Sequence, residues 1–339
     1  MNPRAGILAG GNWIVDHVKV IDAWPPQDAL ATILHESTGN GGAPYNLLKD
    51  LARLGAPFPL EAAGLVGADA NGRAIMDDCH IHGIATAQLR ATPDAATSYT
   101  DVMTEQATGR RTFFHQRGAN ALLAPAHFSF AATRAKIFHL GYLLLLDALD
   151  AADVNEVPRA MTVLRAARAA GLRTSLDCVS ENSPRFRTVV QPVLPAVDVL
   201  FTNDFEAEII TGIPLGRGEN LDRAAIERAA RKLIQLGVGE WALIHFPEGA
   251  CACPAAGEIV WQPSVQVPVA DIAGTAGAGD AFAAGVLLGL HEAWPMPRCL
   301  ELGVCAAATS LLHPTCSGSI RPLADCLAFG QAHGFRALP

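Results

Sequence analysis

GTAGAGDAFAAGVLLGL, residues 274–290, is the stretch on which the reading of this chain turns. Gly277, Ala278 and Gly279 carry little or no side chain, so the backbone there can come close to a ligand. The apolar residues that follow predict a helix. The first N–H groups of a helix have no partner inside it and point outward, which makes an anion site. Asp280 stands at that start, where the helix dipole keeps a carboxylate ionised. A carboxylate beside backbone donors suits phosphoryl transfer, because the donors neutralise charge on the moving group while the carboxylate accepts a hydroxyl proton. The same residues also fit a plain glycine turn with Asp280 as a helix cap. A dinucleotide loop is a poor competitor, since GAGDAF lacks the third glycine of GxGxxG and lies far from the N-terminus. No GxxxxGK[ST] segment occurs, which argues against a P-loop NTPase.

Outward from this segment, strand-like and helix-like stretches alternate, as an α/β layer fold requires. PYNLLKDLARLG reads as a helix: Pro44 opens it, Leu47, Leu48, Leu51 and Leu54 form one face, and Gly55 stops it. PLEAAGLVG follows as a buried strand. NEVPRAMTVLRAARAAG is expected to be a helix ending at Gly171, with LRTSLDCV as the next strand. DVLFTN reads as a strand running into the helix DFEAEIITG. DRAAIERAARKLIQLG is an amphipathic helix with Ile226, Ala230 and Leu233 on one side, and WALIHF is the strand after it. From Asp280 onward the chain reads as mainly helical. Residues about 12–38 and about 97–117 break the alternation and look like pairs of β segments without a covering helix. In the second pair, SYTDVMT and RRTFF flank a turn at Thr108 and Gly109. A small sheet standing off the main layer, able to act as a lid, fits both.

The bulk properties agree. The chain has 339 residues, of which 50% are hydrophobic, enough for one large domain with a sizeable core. Its apolar runs are too interrupted for a spanning helix. MNPRAGILAGGNW lacks the hydrophobic stretch and cleavage site of a secretory leader, so the expected location is the cytosol. A net charge of −8 with no Lys/Arg block excludes a duplex-binding surface. Cys79, Cys178, Cys251, Cys253, Cys299, Cys305, Cys316 and Cys326 form no CxxC pair and are expected to be reduced, buried thiols.

Further segments stand in a definite order. They are GGNWIVDHVKVIDAWP near the start, GGAPYN at 41–46, GLVGADANG from Gly64 to Gly72, RGAN at 117–120, FTNDFEAEIITG, and GTAGAGDAFAAG. Together they resemble the PfkB/ribokinase family of carbohydrate kinases over nearly the whole chain. The last resembles the family's C-terminal signature, written DTxGAGD. The resemblance implies a three-layer α/β/α domain over residues 1–339, with a mostly parallel sheet and a small β-sheet lid. It implies ATP-dependent phosphorylation of a sugar hydroxyl with Asp280 as base, helped by Gly277, Ala278 and Gly279. Asp16, Gly41, Gly42 and Asn46 fall at the family's sugar site. Thr275, Asn203, Glu206 and Gly249 fall at its nucleotide site. Asn203 and Glu206 match its NxxE motif, which organises Mg2+ largely through water. The residue types agree with these roles, since sugars are read by carboxylates and amides and Mg2+ favours oxygen ligands. Taken alone, Asn203 could simply end a strand and Glu206 could serve a helix start. The partners implied are a small sugar and ATP, with neither nucleic acid nor membrane, and a homodimer formed through the lids. A nucleoside kinase of the same superfamily and a non-catalytic sugar-binding relative are the alternatives. The low aromatic content speaks against the first, and retention of Asp280 and the glycine loop against the second.

Two departures stand out. Gly274 replaces the family's usual Asp, through which some members bind a monovalent cation, so K+ activation is in doubt here. Ile244, His245 and Pro247 occupy the strand end where the family often has Thr and glycines. His245 is read as a strand-end histidine satisfied by its neighbours. Arg110, Arg111 and Arg117 are read as solvated charges of the lid hairpin, with the grip of an acidic substrate as the alternative.

Overall fold

The structure is a computed structural model that describes residues 4–338. The first three residues of the N-terminal stretch read above lie outside the described residues. In chain order the strands are β1 (Ile7–Gly11), β2 (Ile14–Ile21), β3 (Ile33–Gly41), β4 (Leu60–Gly67), β5 (Ile84–Thr92), β6 (Ser98–Glu105) and β7 (Arg111–Gln116). They continue with β8 (Ile137–Leu143), β9 (Arg173–Cys178), β10 (Val199–Asn203), β11 (Trp241–Phe246), β12 (Gly249–Pro254) and β13 (Val260–Pro263). The helices are α1 (Ala43–Leu54), α2 (Ala70–Ile81), α3 (Asp147–Asp150), α4 (Ala160–Ala169), α5 (Asp204–Thr211), α6 (Arg223–Gln235), α7 (Ala278–His291), α8 (Met296–Ser310) and α9 (Leu323–His333).

The described strands form two sheets. The larger has the order β13-β12-β11-β10-β9-β8-β1-β4-β5. It is parallel from β5 to β11, with β12 and β13 antiparallel at one edge. Its inner strands are buried on both faces, which is why they read as continuous apolar runs. Side chains alternate between two cores. Leu8, Phe138, Leu140, Leu176, Leu200 and Ile244 join α4 and α6 on one face. Ile7, Ala9, Ile137, Val199, Phe201 and Leu243 join α1, α7 and α8 on the other. This is a ribokinase-like α/β/α arrangement.

The local signals act as their chemistry dictates. Pro44 opens α1, Gly55 closes it in the left-handed conformation, and its four leucines are buried. Each such leucine contributes roughly 1.5–3 kcal/mol by burial. All eight cysteines are free and buried. One boundary differs from expectation. The helix read from Asn155 begins only at Ala160. The Asp153 carboxylate accepts from the N–H groups of Asn155 and Val157, and Ala152 bridges to Pro158, so this segment is held as a turn.

The second sheet, in the order β3-β2-β6-β7, contains both expected β pairs. β6 and β7 are an antiparallel hairpin whose Gly109 has a positive φ. Among the described residues, no helix is long and apolar enough to cross a membrane.

Candidate active site

From β1 the chain builds the large sheet toward β5, then returns and builds from β8 toward β13. The order therefore reverses between β1 and β8, and the strand ends beyond such a reversal leave a crevice. A cleft of about 790 Å³ opens there. Asn12, just past β1, donates its N–H to the Gly141 carbonyl at 2.9 Å and accepts on Oδ1 from the Tyr142 N–H. Tyr142 is thereby fixed at the cleft floor.

Asp280 sits on the first turn of α7 and is 3% exposed. The Asn46 amide donates to its Oδ2 at 2.7 Å, and the Tyr142 hydroxyl lies 2.7 Å from both oxygens. The Asn40 amide holds Asn46 in turn, at 2.7 Å, and also reaches Ser317 Oγ at 2.9 Å. Burial raises the Asp280 pKa to about 6, while the Asn46 and Tyr142 hydrogen bonds pull it down. Gly277 caps the helix with φ 78°, and a Cβ there would lie 2.5 Å from Cys316 Cβ, so glycine is required. Ala278 N–H is drawn toward Thr275 O at 3.4 Å. The N–H groups of Gly279 and Asp280 find no acceptor among the described residues. The open donors at this helix start are thus the N–H groups of Gly279 and Asp280.

Asp16 projects from β2 into the same cleft. Burial raises its pKa to about 7, opposed by a hydrogen bond with Thr100, and Asp280 adds to the rise. The Cys316 thiol lies 3.8 Å from its Oδ2. Gly41 stands against the Asp16 carboxylate, where a Cβ would collide with it. Every other expected site residue lines the cleft: Gly42, Asn46, Thr275, Asn203, Glu206, Gly249 and residues 277–280. Gly41 backs Asp16 and is not part of the lining.

Asn203 and Glu206 form a reciprocal capping box at the start of α5. Asn203 Oδ1 accepts from Glu206 N–H at 2.9 Å, and Glu206 Oε2 accepts from Asn203 N–H at 3.0 Å. Glu206 Oε1 accepts from Ser180 Oγ at 2.7 Å and from the Asn203 amide at 3.0 Å. Burial raises the Glu206 pKa. With these oxygens already engaged, the pair suits an outer role toward a hydrated Mg2+ better than direct ligation. No cluster of three metal-ligating side chains occurs among the described residues.

Several cleft residues escaped the sequence reading. Asp177 closes β9 beside Glu206 and Asp280. Burial and those neighbouring carboxylates raise its pKa, and only its Oδ1 accepts, from Cys178 N–H at 2.8 Å. Its position at a strand's C-terminal end was the available signal. Tyr142, Thr100 and His115 line the cleft together with Asp16, with Thr100 Oγ1 3.0 Å from His115 Nδ1. His245 corrects an expectation. Its ring has no hydrogen-bond partner among the described residues, packs with its centre 5.4 Å from that of Phe282, and faces the helix start, 3.3 Å from a Cβ placed on Gly279. Burial lowers its pKa to about 4, so it enters the cleft as a neutral imidazole. Arg117 also departs from a merely solvated charge, since it donates to Leu144 O at 2.9 Å and Asp147 at 2.8 Å.

Comparison with known proteins places this geometry. The model of the pfkB family carbohydrate kinases matches residues 11–324. A ribokinase of Arabidopsis thaliana is 26% identical over 258 residues, which is 74% of this chain and 62% of that protein. A 5-dehydro-2-deoxygluconokinase of Geobacillus kaustophilus is 32% identical over 107 residues, 32% of this chain and 31% of that protein. The matches thus span less than two thirds of either relative. The solved structure of Arabidopsis thaliana ribokinase complexed with ribose and ATP superposes with a TM-score of 0.78 at 21% identity, covering 97% of this chain and 99% of that one.

Proposed function

The chain belongs to the pfkB family of carbohydrate kinases, and from that premise we propose that it phosphorylates a hydroxyl of a small sugar with ATP, Asp280 being the base. One observation carries the reading. A buried carboxylate, held by Asn46 and Tyr142, stands at a helix start beside two unpaired N–H groups. When bound, ATP supplies the phosphoryl group and Mg2+ the counter-charge to its oxygens.

The chain's own groups divide the work. Asp16 and Asn46 hold the sugar hydroxyls at the β2 end of the cleft. Asp280 takes the proton of the acceptor hydroxyl, and its raised pKa makes it a stronger base than a solvated aspartate. Gly279 and Asp280 N–H groups stabilise the transferred charge. Val304, Ala307, Ala308 and Leu311 offer an apolar wall to the nucleotide base. Asp177, Glu206 and Asn203 would hold a hydrated Mg2+ at the cleft wall they line together. The second sheet acts as a lid, since Ile14, Asp16, Thr100, Phe113 and His115 all face the cleft from it. Trp24, Ile33, Leu34 and Phe114 leave exposed apolar surface on that sheet, which supports pairing of two copies through their lids. A cytosolic location goes with this activity.

The test is ADP release with ATP and Mg2+ over a panel of sugars, sugar acids and nucleosides. We expect turnover on a sugar or sugar acid, lost by roughly a thousandfold or more in Asp280→Asn while sugar binding persists. An active Asp280→Asn enzyme would refute the assignment of the base, and turnover confined to nucleosides would refute that of the substrate.

A further inference from the structure

Gly274 lacks the carboxylate through which a monovalent cation would be held, and the space beside it is filled. A Cβ on Gly274 would lie 2.5 Å from Arg111 Nη2 and 2.9 Å from the His313 carbonyl oxygen. Arg111 belongs to β7, on the same face as Phe113 and His115, which line the cleft. Its guanidinium therefore crosses from the second sheet to the loop that leads into α7. It is half-buried, yet it has no hydrogen-bond or ion-pair partner among the described residues. The carboxylates of its own hairpin are engaged elsewhere: Asp101 pairs with Lys19, and Glu105 accepts from Trp24 N–H at 3.4 Å and from the Thr108 hydroxyl at 2.5 Å. The Arg111 charge is felt inside the cleft. It opposes Asp16, Asp280 and Asp50 in their effect on the Cys316 thiol. A second cation placed here would meet a fixed like charge and no carboxylate at 274, so these residues do not fit a K+ site.

We propose that Arg111 serves as a built-in cation for the loop 272–279, so that this kinase works without K+ and polarises its anion site from the lid. A guanidinium stays charged throughout the working pH range. A fixed positive charge beside the loop favours peptides that turn carbonyls toward it and leave N–H groups for the cleft. Because the charge rides on the second sheet, the loop is polarised only with that sheet in place. Arg111 is a positioning residue on this account, acting through the backbone donors that precede and include Asp280.

This inference rests on the kinase reading, and the experiment separates the two. Turnover and melting temperature are measured in KCl and in tetramethylammonium chloride at equal ionic strength. The wild-type chain should show the same turnover and melting temperature in both salts. Arg111→Met should lose roughly tenfold or more in kcat with a smaller change in the acceptor KM, and Arg111→Lys, which keeps the charge, should lose less. Activation or thermal stabilisation of the wild-type chain by K+ would overturn the proposal, as would undiminished kcat in Arg111→Met. Absence of wild-type turnover on any acceptor would count against the kinase reading alone, because the wild-type melting temperatures still test K+ binding.

Discussion

The Tyr142 hydroxyl has one charged acceptor, the Asp280 carboxylate, and it holds the ionised form. A hydrogen bond to the charged form lowers a carboxyl pKa, while burial raises it, and in Asp280 burial wins. The acid limb of the kcat/KM profile should then fall near pH 6, with activity lost as Asp280 gains its proton below that value. Tyr142→Phe removes one of the two lowering bonds. The expected outcome is an acid limb displaced to higher pH, at unchanged fold, and a pH–rate series on both proteins checks it. An unmoved limb would mean that another group carries it. Asp280 was legible in the sequence because its glycine run closes an ordered series of family motifs, since the loop alone also fits a plain helix cap. Tyr142 was not, because its partner lies 138 residues away.

Helix α5 shows one motif doing two things. Its capping box satisfies the helix start and also places two carboxylate oxygens at the cleft wall. Asn203→Ala removes the cap and should cost about 1 kcal/mol of stability. It should also raise the Mg2+ concentration needed for half-maximal turnover, because Glu206 loses its orientation. Denaturant unfolding and a Mg2+ titration read the two effects separately, and a stability loss without a Mg2+ shift would reduce the motif to a cap. The strands and helices of the main layer were legible from periodicity and from glycine and proline punctuation. The segment 155–159 was not, because the Asp153 carboxylate and the bridge between Ala152 and Pro158 hold it as a turn.

Across the whole molecule, the cleft concentrates acid. Asp177, Glu206 and Asp280 are buried, Asp16 is half-buried in the same cleft, and all four have raised pKa values. The folded chain therefore keeps protons that the unfolded chain releases above its ordinary carboxylate pKa near 4. With fewer protons bound in the unfolded state, stability falls as pH rises through the folded values of about 6 to 7. The melting temperature should drop between about pH 5 and about pH 8. Asp16→Asn should flatten that slope and raise the melting temperature at the upper end, while weakening turnover through loss of a sugar contact. A slope unchanged by Asp16→Asn would show that this carboxylate is not part of it. Such a site is held at the expense of stability, as functional sites commonly are.

By itself the sequence determined the alternation of strands and helices, the two β pairs, the glycine loop with Asp280, and the family order of the motifs. These are local matters of backbone freedom, side-chain period and residue type, and spacing along the chain expresses them. Only the tertiary structure decided that Tyr142 and Asn46 meet on Asp280, that Asp177 joins the acidic cleft, that His245 faces the helix start and that Arg111 fills the space beside Gly274. Each of these joins residues from separate elements far apart in the chain. The contact exists because the reversal of strand order between β1 and β8 brings their ends to one crevice, a fact of topology that no single segment carries.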